Sequence, residues 1–449
     1  MNLNEKMKKY GFNHAIRYLE KNPEENLPKL MNFADRVMPK DEFPSQRVAF
    51  REVIEKKNNW YELIMRMYEL DAQTRITFFQ NFILNENVFG WPEQEKNREK
   101  YGCNIPWTIL LDPTSACNLH CTGCWAADYG HQLSLSFEDI DSIIEQGKAL
   151  GVYMYIYTGG EPLVRKKDLI RLCEKHPDCI FLTFTNATLI DEEFCLEMLR
   201  VKNFIPAISL EGFEEANDSR RGEGIYSKVM YAMDLLKMHK LPFGISVCYT
   251  SRNCEDISSE AFYDKIIEKG ALFVWFFHYM PVGKDAAKDL LVSPQQRKAV
   301  YENICAFRKT KPIFSMDFQN DAEFVGGCIA GGRRYLHINA SGDADPCVFI
   351  HYSNTNIHES TLMEVLQSPL FMAYHDGQPF NDNMFKPCPM LENPSILPEI
   401  VKKTGAHSTD PQTPESAEEL CEKTISYAED WDNVAEELWN SRNAVRNSK

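Results

Sequence analysis

From Trp107 onward the chain alternates short apolar runs with amphipathic stretches, and this alternation constrains the fold more than any other feature. The runs Trp107 to Leu111, Tyr153 to Thr158, Ile180 to Thr185, Ile205 to Leu210, Phe243 to Tyr249 and Leu272 to Tyr279 are rich in β-branched and aromatic residues. Between them lie helix-length segments: Ser136 to Leu150, Lys167 to His176, Asp191 to Val201, Ile225 to Lys240 and Ser259 to Lys269. Strands separated by crossover helices pair in parallel, with right-handed connections. The expected fold is α/β, a partial (β/α)6 TIM-like barrel, whose chemistry belongs at the C-terminal ends of the strands.

The flanks differ from this core. Residues 1–100 read as a helical N-terminal region, with helical apolar spacing in Tyr61 to Leu70 and Arg75 to Leu84. Trp60, Met65, Met67, Phe78, Phe79 and Phe82 make it rich in large apolar groups. It reads as a layer packed on the main domain, the sharper alternative being an apolar lid or groove for a greasy substrate. The core is expected over residues 101–320 and a small α+β extension over 321–395. In that extension Arg334 to Ile338, the turn Asn339 to Asp343 and a second strand from Asp345 form a hairpin. Residues 396–449 read as a polar linker, Gly405 to Pro414, and a C-terminal helix starting near Thr413-Pro414. Leu420, Tyr427, Trp431, Val434 and Leu438 line one face of that helix, which is expected to pack back on the body.

At 449 residues the chain needs more than one core, and 25% charged with 44% apolar residues is an ordinary globular composition. A net charge of −16 argues against nucleic acid as a main partner. No apolar signal segment precedes Leu30, and the longest strongly apolar run, Phe273 to Val282, is too short to span a membrane. A cytoplasmic protein is expected. Its 14 cysteines then read as metal or cluster ligands, or as small buried apolar residues, rather than as disulfides.

Three of them, Cys117, Cys121 and Cys124, form C-x3-C-x2-C on the loop after the first strand. Three thiolates on a four-iron, four-sulfur cube leave one iron open to a small molecule. Zinc with His120 or His131 as fourth ligand is the alternative, as are buried structural cysteines.

This motif resembles the signature of the radical S-adenosylmethionine enzymes, and further stretches at successive strand ends resemble the same family. They are Thr158-Gly-Gly-Glu-Pro162, Thr185-Asn186, Ser209-Leu-Glu-Gly212 and Asp218-x-x-Arg221-Gly222, with Glu211 where the family usually has Asp. The resemblance implies a catalytic 4Fe-4S cluster on Cys117, Cys121 and Cys124. It also implies an S-adenosylmethionine pocket shaped by Trp125, Gly159, Gly160, Glu161, Pro162, Asn186, Ser209, Glu211 and Arg221. In that family the open iron chelates S-adenosylmethionine, and one electron cleaves it to a 5′-deoxyadenosyl radical that abstracts hydrogen. An electron donor such as flavodoxin or ferredoxin is the implied partner.

Cys328-x2-Gly331, Ile338-Asn-Ala-Ser-Gly-Asp and Pro346-Cys347 resemble the start of the auxiliary-cluster extension called SPASM, or its shorter relative twitch. Only Cys388 follows where a full SPASM domain has a C-x2-C-x5-C run. The resemblance therefore implies one auxiliary 4Fe-4S cluster on Cys328, Cys347 and Cys388. Its fourth ligand is left among Cys421, His351, His375 and a bound substrate, with a zinc site or loss of the cluster as alternatives. The other seven cysteines, Cys248 among them, read as packed apolar residues, and His278 and Tyr279 as either core or substrate-facing.

The implied activity is oxidoreductase-type radical chemistry that abstracts hydrogen from a peptide or protein, to crosslink or oxidise it. Radical coupling or functionalisation of lipid chains or another apolar metabolite is the second reading, since the N-terminal region reads as helical and apolar-rich rather than as a small leader-gripping domain of alternating helix and strand. A non-catalytic cluster-binding interaction protein is the third. A long apolar tunnel favours lipid; an open polar groove favours peptide. The catalytic acid or base is left unassigned.

Overall fold

The structure, a computed structural model, describes residues 3–37 and 44–447. The six expected strands form as β1 (Thr108–Leu111), β2 (Met154–Tyr157), β3 (Ile180–Thr185), β4 (Phe204–Ser209), β5 (Gly244–Tyr249) and β6 (Phe273–His278). They pair in parallel, each with its successor. Capping side chains set the starts of the intervening helices: Ser136 with Asp139, Asp191 on Phe194 N–H, and Ser259 on Phe262 N–H.

The sheet is larger than the six-strand reading. β7 (Phe314–Asp317) extends it beside β6, and β8 (Tyr335–Ile338) joins β1 in parallel, giving eight parallel strands with the short antiparallel β9 (Ala344–Asp345) at the edge. The hairpin of the extension is real, but its first strand belongs to the core sheet. β1 would otherwise leave a row of unpaired backbone groups at the wall of the barrel. Leu111 instead pairs with Ile338 on one side and Tyr157 on the other. Trp107 and Thr108 N–H groups both donate to Arg334 O, at 2.7 and 3.0 Å, which fixes the register.

The N-terminal region is helical: Leu3–Leu19, Pro23–Val37, Pro44–Lys56, Asn59–Met67 and Ala72–Phe78, then a π-helix Phe79–Gly90 and an α-helix Trp91–Tyr101. It covers the N-terminal ends of the strands. Asn81 donates to Pro177 O and Cys179 O ahead of β3, Asp71 N–H to Lys240 O ahead of β5, and Arg66 to Ala271 O and Pro312 O ahead of β6 and β7. Glu86, fully buried, accepts from Tyr153 N–H and from Gln94, and burial pushes its carboxyl up to about 8.

The C-terminal helix packs back on the body as expected, though it begins later. Ser416 and Glu419 form a capping box, a stronger start than Thr413-Pro414, and the helix breaks between Ala417–Glu422 and Ile425–Asn447. Trp431 is buried beneath the Arg297 guanidinium, 4.1 Å from the ring centre, and donates to Phe385 O. The polar linker is anchored, His407–Ser408 pairing with Tyr352–Ser353. Among the described residues no helix is long and apolar enough to cross a membrane.

Candidate active site

Three loops leave the C-terminal ends of β1, β2 and β3 and are laced to one another. Gly160 N–H donates to Thr114 O and Glu161 N–H to Ala116 O, so the Gly-Gly-Glu turn lies directly against the cysteine loop. A Cβ on Gly160 would stand 2.3 Å from Ala116 O, and Gly159 has φ +102°, so neither position tolerates a side chain. The buried Glu161 carboxylate accepts from Leu163 N–H, Thr185 Oγ1 and Asn186 N–H, although burial holds its pKa above the ordinary range. Asn186 in turn donates to Asn118 between the first two cysteines.

The thiols of Cys117, Cys121 and Cys124 line one end of a cavity of about 620 Å³. Trp125, Gly159, Gly160, Glu161, Asn186, Ser209 and Arg221 line the same cavity. Two of the residues singled out in the sequence do not. Pro162 is buried at the start of a 3-10 turn, where it fixes the backbone after Glu161. Glu211 sits behind the wall, paired with both Arg220 and Arg221 and accepting from Cys248 N–H at 2.9 Å. Burial alone would raise its pKa, but the two guanidinium groups outweigh it and hold the carboxyl below the usual range. Glu211 thus aims the arginines, and Arg221 reaches to 3.9 Å from Cys121 Sγ.

Burial pushes the Cys117 thiol up to about 11 and raises that of Cys124. A metal must therefore displace their protons, and the adjacent guanidinium groups favour the resulting negative charge. Among the described residues no three His, Cys, Asp or Glu side chains converge on a single ion. His120 and His131 stack edge to face on each other and neither lines the cavity. Three thiols around one concave end, with donors beside them, fit a cluster held at three corners.

From the thiols the cavity runs down the inside of the barrel. Leu110, Ile156, Phe184, Ser246, Trp275 and Phe277 line it from successive strands, and Trp107, Arg334, Asn87 and Trp91 close its floor. The N-terminal helices thus supply the bottom of the site. Residues with no motif supply much of the wall: Arg220, Cys248 and the aromatic alternation of β6. The signal for β6 was its period-2 pattern, Phe273, Trp275 and Phe277 against Val274 and Phe276. His278 lines the cavity but is tied off, Nδ1 to Tyr279 O and Nε2 to Tyr427 at 2.8 Å, and burial drops its pKa to about 3.

A second cavity of about 540 Å³ adjoins the first and is lined by Cys328, Cys347 and Cys388. The two cavities have Trp275, Met280, Phe318, Phe324, Val325, Ile329, Tyr335 and Phe349 in common. Burial pushes the Cys328 thiol up to about 11 and that of Cys347 to about 12. Cys388 Sγ accepts from Met390 and Leu391 N–H, both at 3.4 Å, the type of bond a ligating sulfur takes from its own loop. The proposed fourth ligands are elsewhere: His351 is bonded to Val348 O, His375 to Asp376, and Cys421 is packed in the core, none lining the second cavity.

Beside the first site, against Trp125, lies a buried charge cluster. His337 bridges Asp112 at 3.0 Å and Asp345 at 3.2 Å, and Tyr129 and Thr409 donate to Asp345. Burial opposes charge on His337, but Asp112 and then Asp345 outweigh it and hold its pKa at about 10. The cluster joins the end of β1 to β8 and β9, and Trp125 stands edge-on to the His337 ring.

Comparison with known proteins agrees with this geometry. Residues 111–258 match the radical SAM superfamily and residues 328–390 an iron–sulfur cluster-binding domain, SPASM. An AdoMet-dependent heme synthase of Methanosarcina barkeri is 23% identical over 59% of this chain and 83% of its own. A serine-type anaerobic sulfatase-maturating enzyme of Klebsiella aerogenes is 29% identical over 40% of this chain; the match spans 48% of that enzyme's length. The crystal structure of Streptococcus suis SuiB bound to the precursor peptide SuiA superposes with a TM-score of 0.55, covering 73% of this chain and 79% of that one at 19% identity.

Fold and site therefore define an enzyme of the radical SAM class, with a 4Fe-4S cluster and S-adenosylmethionine as its cofactors. Residues 328–390 add to it a SPASM domain, an iron–sulfur cluster-binding domain.

Proposed function

We propose that this enzyme directs its radical onto an apolar substrate, a hydrocarbon chain or an extended apolar ring system, held along the inside of the barrel. The observation that carries this reading is the cavity wall. From the thiols to Trp91 it is built mainly of Leu110, Leu119, Ile156, Phe184, Trp275 and Phe277, with most polar groups at the thiol end and Asn87 and Arg334 at the floor. Such a wall recovers the hydrophobic free energy of an apolar chain and offers a peptide backbone few partners along its length.

With S-adenosylmethionine bound, a three-cysteine 4Fe-4S cluster supplies a 5′-deoxyadenosyl radical once it receives an electron. The chain's own residues do the rest. Cys117, Cys121 and Cys124 are the proposed ligands of the catalytic cluster. Gly159 and Gly160 bring the turn backbone to the cavity edge, and Glu161 pins that turn to β3. Ser209, Asn186 and the Glu211-aimed Arg221 present polar groups to the amino-acid and ribose portion, and Trp125 presents a ring. The aromatic wall excludes water, which protects a reactive radical. Cys328, Cys347 and Cys388 are the proposed ligands of one auxiliary cluster. The proposed electron donor is a small protein such as a flavodoxin or ferredoxin.

A peptide or protein substrate is the second reading, and the sulfatase-maturating relative and the peptide-bound neighbour favour it. One experiment separates the two. The anaerobically reconstituted, reduced enzyme is given S-adenosylmethionine with either perdeuterated acyl lipids or deuterated peptides, and deuterium in 5′-deoxyadenosine is read by mass spectrometry. Label from the lipid supports the apolar reading. Label from peptide alone replaces it with the second.

A further inference from the structure

Tyr335 stands where the two cavities meet. Its side chain lines both, its hydroxyl lies 2.8 Å from Cys347 Sγ, and it is almost fully buried. It is the first residue of β8, where it pairs with Thr108 of β1. Its backbone N–H donates to Ile329 O and its carbonyl accepts from Gly332 N–H, closing the turn that carries Cys328. The ring is therefore held by the core sheet on one side and by the cysteine turn on the other.

A thiolate that ligates iron can only accept, so the hydroxyl must be the donor of this bond. Hydrogen bonds to cluster sulfurs are among the factors that set a cluster's reduction potential. They stabilise the more negative, reduced form and so raise the potential. The neighbourhood holds a natural control. The Tyr374 hydroxyl is buried near the same three cysteines, yet has no hydrogen-bond partner among the described residues.

We propose that Tyr335 is a positioning residue of the auxiliary site. Its hydroxyl, donated to Cys347, holds the potential of the auxiliary cluster up, and its ring forms part of the wall between that cluster and the substrate cavity. This inference rests on the assignment of Cys328, Cys347 and Cys388 to that cluster, which the iron content of Cys347→Ala tests separately.

The experiment is an EPR-monitored redox titration of the full chain, anaerobically reconstituted, as wild type, Tyr335→Phe and Tyr374→Phe. The expected result is full iron content in both variants. The auxiliary midpoint moves to more negative potential in Tyr335→Phe alone, and the catalytic midpoint stays in place in all three proteins. An unchanged auxiliary midpoint in iron-replete Tyr335→Phe overturns the proposal, as does an equal shift in Tyr374→Phe. Loss of the auxiliary iron in Tyr335→Phe also overturns it, because the hydroxyl then holds the site together rather than tuning it. If Cys347→Ala keeps all its iron, the cluster assignment fails instead, and the tuning role with it.

Discussion

The two thiol sites of this protein are built in opposite ways. The first takes its three cysteines from eight consecutive residues on one loop, and tertiary structure adds charge: Arg220 and Arg221, aimed by Glu211, face the thiols. The second takes one cysteine from each of three segments spread over 61 residues, Cys328 to Cys388, in a largely apolar cavity where the Tyr335 hydroxyl lies against Cys347 and Arg308, Asp317 and Asp321 also line the wall. It has its own buried ion pair, Arg297 with Glu392, but in reverse orientation. The carboxylate faces the site, accepting from Cys388 N–H at 2.9 Å, while the guanidinium points to Asn320 and Tyr427. The first site, proposed to bind a charged small molecule, has guanidinium groups at its cavity wall, and the second, proposed to hold only a cluster, has backbone donors at Cys388 and a largely apolar wall.

The largest effect separates the sites outright. Cys124→Ala is expected to abolish 5′-deoxyadenosine formation with the fold retained, whereas Cys347→Ala lowers iron from about eight to about four per chain and spares the first cluster. Iron and sulfide analysis with a deoxyadenosine assay checks both. Deoxyadenosine from Cys124→Ala would remove the basis for calling the first site catalytic.

Next come the ion pairs. Removing one partner of a buried pair costs about 3–5 kcal/mol. Glu211→Gln and Glu392→Gln should both lower the melting temperature. Only Glu211→Gln should also weaken S-adenosylmethionine binding, measured by calorimetry, because it alone releases the arginines at the cavity. Equal binding losses in both would erase the contrast between the sites.

A smaller effect tests the wall. Phe277→Ala is expected to raise KM for an apolar substrate roughly tenfold, the scale of a lost apolar contact in a pocket. Steady-state kinetics on the substrate found by deuterium transfer checks it; an unchanged KM would place the substrate elsewhere.

The smallest is a pH effect below the first cavity, at Glu86 ahead of β2, where the carboxyl is raised further than that of Asp317 at the second cavity, about 6. Glu86 has a folded pKa of about 8 against an ordinary 4.5. The folded state keeps this proton where the unfolded chain has lost it. The group's contribution to stability is therefore full below pH 4.5 and is lost as pH rises toward 8. Melting temperatures of wild type and Glu86→Gln across that range should converge at the acid end and part at the alkaline end. Parallel profiles would show that Glu86 is already ionised in the fold.

Much of this was legible in the chain. The six strands of the core appear within about a residue of their expected ends, because parallel strands buried on both faces leave continuous apolar runs. The Cys117, Cys121 and Cys124 loop was legible because its three cysteines are close in sequence. β8 was read as a hairpin strand of the extension. Its place beside β1 depends on a partner more than 220 residues earlier, which no local pattern records. Glu211 looked like part of the pocket because it shares a strand end with Ser209. Only the packing of Arg220 and Arg221 reveals that it acts through them.

The sequence by itself determined the parallel α/β architecture, the three-thiol loop and the glycine turn at the next strand end. These rest on local spacing and on backbone needs that act within a few residues. Only the tertiary structure decided that the N-terminal helices close the floor of the barrel, that aromatic residues of separate strands make one apolar wall, and that Tyr335 stands between the two thiol sites. Burial and long-range pairing fix those features, and they exist only once the sheet has brought distant segments together.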